Sequence, residues 1–120
     1  MTIETHTVSG KRIAELASDT LHISSIDDIP DLLGNLYYQE YSRIIIHERS
    51  IIPAFFDLKT GIAGEVLQKF SNYRMRLAIV GKFEKFTSKS LRDFIRESNQ
   101  GSTVNFVGSV AEALNRLSRG

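Results

Sequence analysis

The chain contains no cysteine. That excludes a disulfide framework, a thiolate nucleophile and any cysteine-ligated metal. No apolar run is long enough to span a bilayer, and Met1 to Arg12 lacks the apolar stretch of a secretory signal. The expectation is a cytoplasmic protein without membrane insertion. An excess of one charge is also missing. Fifteen Lys and Arg face fourteen Asp and Glu, a formal net charge of +1, and no nucleic-acid motif accompanies them. This argues against a nucleic-acid partner. The chain has neither the glycine pattern of a dinucleotide site, nor a Walker lysine, nor a Gly-x-Ser-x-Gly elbow.

What is present fits a globular domain. Apolar residues make up 42% and charged residues 24% of 120 positions, enough to bury a core without staples in one domain spanning residues 1–120. Charge is unevenly spread. Residues 1–57 carry four basic and nine acidic side chains, residues 58–120 eleven and five. Either the two halves attract each other within one fold, or Lys82, Lys85, Lys89, Arg92 and Arg96 form a basic patch for an anion or acidic partner.

Hydrophobic periodicity sets the expected elements. Ile3 to Val8 and Arg12 to Leu16 read as two strands joined at Ser9-Gly10. Ser25 and Asp28 have capping-box spacing before a helix with Ile29, Leu32, Leu33 and Leu36 inside, ending near Tyr38. Arg43 to Glu48, with three consecutive isoleucines, is a buried strand. Pro53 opens a short turn through Phe56. Ile62, Ala63, Val66, Leu67, Phe70 and Tyr73 recur with helical period, and Leu77 to Val80 is an unbroken apolar strand ending at Gly81. Thr87 or Ser88 caps a helix carrying Leu91, Phe94 and Ile95. Thr103 to Val107 is the last strand. Ser109 and Glu112 cap a closing helix that turns Val110, Ala113, Leu114 and Leu117 inward. The expected fold is α/β: a mixed, mostly parallel sheet with an N-terminal β-hairpin and about four helices.

That order, and the turn Asp57-Leu58-Lys59-Thr60-Gly61 before Ile62-Ala63-Gly64, resemble the STAS domain fold of anti-sigma-factor antagonists and sulfate-transporter tails. Thr60 falls where that family's phosphorylatable serine stands. The turn is one residue longer here, and Lys59 replaces a small hydroxyl residue, which argues against phosphorylation as a switch. Arg76 to Phe86, Val104-Asn105-Phe106 and Glu112-Ala113-Leu114 are similar to the SpoIIAA-like branch. The whole chain also resembles a small bacterial family catalogued as a domain of unknown function, most specifically in FFDLKTGIAGEVLQKFSNY and FTSKSLRDFI. The resemblance implies a STAS/SpoIIAA-like fold and no particular activity.

In open α/β sheets ligands bind beyond the carboxyl ends of the strands. The rim residues expected to meet a ligand or partner are therefore His47, Asp57, Lys59, Thr60, Gly61, Lys82 and Lys89. Backbone amides at Thr60, Gly61 and Ile62, with Lys59, Lys82 and Lys89, would suit a small anion. The alternative is that Thr60 is no more than a helix cap, and Gly61 no more than a tight turn. His47 with Glu48 or Asp57 is the one arrangement suggestive of a general base, although alternation along a strand separates His47 from Glu48. Ser88, Lys89 and Ser90 place hydroxyls beside an amine, but helix capping is their ordinary use. His6, His22 and His47 are far apart along the chain, without metal-ligand spacing, so neither metal nor cofactor is expected. Phe55, Phe56, Phe83 and Phe86 could wall a groove or form satellite core.

Three function classes remain. The first is a non-enzymatic STAS-like regulatory or binding module acting through a partner protein or small anionic ligand. The second is a small enzyme using His47 with a nearby carboxylate. The third is a self-associating domain, with a homodimer the expected form.

Overall fold

The computed structural model describes residues 2–120. Five strands form one mixed sheet: β1 (Ile3–Val8), β2 (Lys11–Leu16), β3 (Arg43–His47), β4 (Arg76–Val80) and β5 (Val104–Val107). Four helices accompany them: α1 (Asp28–Tyr38), α2 (Ile62–Asn72), α3 (Lys89–Gln100) and α4 (Val110–Leu117). The fold is thus α/β, with β1 and β2 antiparallel and β2 through β5 parallel.

The hairpin is tight because Ser9 and Gly10 both take positive φ, 53° and 77°. Such a turn matches the twist of the strands it joins, and it pins the register. Val8 therefore pairs with Lys11, His6 with Ile13 and Glu4 with Glu15.

Strand order follows chain order, β1-β2-β3-β4-β5. Each right-handed crossover steps the same way across the sheet, so successive crossover helices land on the same face. α1, α2 and α3 accordingly share one core with Ala14, Leu16, Ile44, Ile46, Leu77, Ile79 and Phe106. α4 closes the opposite face, packing Ala113 and Leu117 on Ile13, Ile45, Ala78 and Val107. It lies mainly over β3, β4 and β5, and on the hairpin the cluster beneath it takes in Ile13 and part of Val8. Alternation then explains a local composition change. Glu4, His6 and Glu15 share this face outside the apolar cluster beneath α4, Glu4 exposed and the other two half-buried.

Polar side chains settle two helix ends. Asn105, 1% exposed, donates to the carbonyls of Ser98 and Gly101 at the end of α3. Ser109 Oγ accepts from the Glu112 amide, and Glu112 accepts from the Gly108 amide, so α4 starts with a working cap. At α1 only half of the expected box forms. Asp28 accepts from the Ser24 and Ser25 amides, but the helix begins at Asp28 itself, and no side chain caps it. Tyr73 also departs from expectation. It lies just past the last residue of α2 and is 43% exposed, so it is not part of that helix's buried face.

Candidate functional site

β3, β4 and β5 end level with one another: His47 pairs with Val80, and Val80 with Val107. The segments leaving them bend over the sheet edge as short 3-10 turns at Glu48–Ser50 and Phe83–Lys85. Between these turns lies an open cleft of about 370 Å³, lined by His47, Glu48, Arg49, Val80, Gly81, Lys82, Lys85 and Gly108. Sequential strand order leaves no reversal point of the kind that makes a crevice in doubly wound sheets. The loops themselves build this one.

The cleft is basic. Arg49, Lys82 and Lys85 face it against one acid, Glu48. Lys85 Nζ lies 2.5 Å from Glu48 Oε2, with the lysine 57% and the glutamate 16% exposed. Arg49 donates to Ser18 Oγ at 2.8 Å. Lys82 has no side-chain hydrogen bond or ion pair within the limits of contact among the described residues. Gly81 is required by close approach: a Cβ there would stand 2.8 Å from Glu48 Cβ and 3.1 Å from the Phe83 ring.

A second, more apolar cleft of about 350 Å³ adjoins it, walled by Leu21, Ile51, Pro53, Phe56 and Phe86. Glu48, Arg49 and Lys85 line both, so the ion pair divides the two. The aromatic residues serve core and cleft together. Phe55 (1% exposed) and Phe56 (8%) belong to the main core, with Phe83 and Phe86 packed against it. Phe56 and Phe86 stack at 4.9 Å.

Of the residues expected at the rim, His47 and Lys82 line the basic cleft. Asp57, Lys59, Thr60 and Gly61 form a separate turn. Asp57 accepts from the Lys59 amide, and Thr60 Oγ1 donates to the carbonyls of Ala54 and Asp57 while accepting from the Ile62 amide. The Thr60 and Gly61 amides donate to Asp57 and Leu58 carbonyls. All three amides considered for anion binding are thus occupied within the turn. Gly61, at φ 77°, is a left-handed position that favours glycine. Lys89 opens α3 and pairs with Asp93 at 2.9 Å, away from the basic cleft.

His47 has a partner the spacing along the chain did not indicate. Its Nε2 lies 2.7 Å from Glu15 Oε2, not against Glu48 or Asp57. Glu15 Oε1 lies 2.8 Å from His6 Nε2, so one carboxylate on β2 joins a histidine on β1 to a histidine on β3. The signal was in the hairpin: a two-residue turn at Ser9-Gly10 places Glu4 across from Glu15 and His6 one diagonal step away. His22, by contrast, bonds the Ala17 carbonyl at 2.7 Å and stays apart.

Burial pushes the Glu15 carboxyl pKa up, but hydrogen bonds and charge from His47 and His6 outweigh this and hold it below its ordinary 4.5. A carboxyl depressed in the folded state contributes stability above its unfolded pKa, and loses it as pH falls through the folded value. In chelator-containing buffer, the melting temperature of wild type should therefore fall more between neutral pH and acid below 4.5 than that of Glu15→Gln. Parallel pH profiles for the two proteins would show that the Glu15 carboxylate does not stabilise the fold.

The fold and cleft together define an α/β domain with a basic rim. The chain belongs to the family described as a domain of unknown function, DUF4180, which matches residues 8–117. Neither the curated proteins nor the solved structures contain a match to it.

Proposed function

We propose that this chain is a non-enzymatic binding module of STAS-like architecture whose ligand is a small anion held in the rim cleft. The observation that carries this reading is the charge of the cleft: Arg49, Lys82 and Lys85 converge at the carboxyl ends of three parallel strands, with Glu48 as the only acid. Lys82, without a protein partner among the described side-chain pairs, is the cation an incoming anion would engage first. A charge-assisted hydrogen bond contributes about 1.5–3 kcal/mol, a factor of roughly 10–100 in affinity.

Calorimetry and thermal shift with inorganic phosphate, sulfate and small mono- and dicarboxylates test the proposal. At least one anion should bind saturably and more weakly as salt rises. Lys82→Glu should melt like wild type but bind at least about 10-fold more weakly. No binding by wild type to any of these anions, or equal affinity in Lys82→Glu, would count against it.

One observation favours a second reading, a small enzyme with His47 as base. His47 lines the cleft and is oriented by Glu15 at 2.7 Å, the geometry a general base needs. Turnover of a bound anion that disappears in His47→Gln, with affinity retained, would replace the first reading by this one.

A further inference from the structure

The hairpin face beside α4 concentrates chemistry that the rim cleft does not use. His6 Nε2 lies 3.1 Å from Glu4 Oε2 and 2.8 Å from Glu15 Oε1. One ligand atom from each of the three side chains falls within 4.8 Å of the others. We propose that Glu4, His6 and Glu15 bind a divalent transition-metal ion of the zinc class, with His47 positioning Glu15 from the opposite side.

Three arguments converge. The first is geometric. Ligand atoms bound at about 2.0–2.2 Å to one ion lie roughly 3 Å apart; both imidazole–carboxylate distances already match, and the two carboxylates come within 4.8 Å of each other. They project from two strands locked in register, so little must move on binding. The second is electrostatic. Glu4 and Glu15 are direct cross-strand partners, an arrangement in which like charges destabilise a hairpin. Among the described residues no lysine or arginine pairs with either; the only ion-pair partners are imidazoles. A cation between the carboxylates removes that repulsion. The third concerns the surroundings of Glu15. His47 bonds its second oxygen at 2.7 Å, which leaves the first aimed at His6, the way second-layer hydrogen bonds orient carboxylate ligands.

The donor set decides the class of ion. One imidazole with two carboxylates suits zinc, manganese or iron(II); magnesium and calcium prefer oxygen alone, and copper(I) prefers sulfur. Three protein ligands leave a coordination position free. Glu4 and Glu15 also line a cavity of about 260 Å³ with Thr2, Leu16, Ala17 and Ser18, large enough for water or a small exogenous ligand there.

The test is calorimetric titration of zinc chloride into tag-free, chelator-stripped full chain at neutral pH, with cobalt(II) absorption as a second readout. Wild type should bind one ion per chain. His6→Gln and Glu15→Gln should each lose saturable binding. Glu4 is 71% exposed, so Glu4→Gln keeps the fold whatever the other variants do, and it should bind more weakly and alter the cobalt spectrum. His47→Gln should keep the one-ion stoichiometry and weaken binding about 10–100-fold. Lys82→Glu should bind zinc as wild type does, which separates this proposal from the anion site. Absence of saturable zinc binding, or unchanged binding in both His6→Gln and Glu4→Gln, would overturn the metal site. Unchanged affinity in His47→Gln would overturn the positioning role alone.

Discussion

Ile45→Asp is expected to yield a protein with no cooperative thermal transition. Ile45 lies at the centre of β3, fully buried beneath α4 with Ile13, Ala78, Val107 and Leu117. Losing the isoleucine forfeits about 1.5–3 kcal/mol of burial. Placing a carboxylate there, directly across from Glu15 on β2, costs several kcal/mol more even if it protonates. The combined loss approaches the whole stability of a typical domain, about 5–15 kcal/mol. Circular dichroism during heating is the measurement. A soluble variant melting cooperatively within a few degrees of wild type would show that α4 does not cover this face. The substitution tests the smaller of the two cores, the one that makes the sheet two-sided.

Phe55→Ala addresses the larger core, next to Phe56, which walls the second cleft. Phe55 is 1% exposed and meets Phe56 edge-on at 4.8 Å and Phe106 at 6.3 Å. Removing a buried phenyl ring costs about 3–5 kcal/mol through lost burial and the cavity left behind. In a domain this small the melting temperature should fall by more than about 10 °C. Phe55 lines neither cleft, so anion affinity measured below the new transition should stay near wild type. If the melting temperature barely moves, the aromatic cluster is loosely packed. If affinity collapses while the fold survives, the two clefts are coupled through the Phe55–Phe56 contact.

The elements were legible because each carries its own period. Ile29, Leu32, Leu33 and Leu36 mark one helix stripe, the Ile44–Ile46 and Leu77–Val80 runs mark strands buried on both faces, and Ser88 and Ser109 cap the helices they precede. Alternation of helices and strands after a hairpin was enough for a mixed, mostly parallel sheet. Sites were harder, since they join residues distant along the chain. The Asp57–Gly61 turn stood out for its composition, yet its hydrogen bonds close on themselves. Lys85 was legible only as one of a run of basic residues, and Arg49 joined it when two loops brought them to one cleft.

By itself the sequence determined the α/β class, the parallel sheet and its N-terminal hairpin, and the faces that the helices bury. These follow from local propensity and hydrophobic period, which act over a few residues. Only the tertiary structure decided that three helices share one face, that α4 alone closes the other, and that Glu15 stands between His6 and His47. Those relations depend on strand order and register across the sheet. Side chains from β3 join those of the β1–β2 hairpin only after the long crossover through α1 has closed.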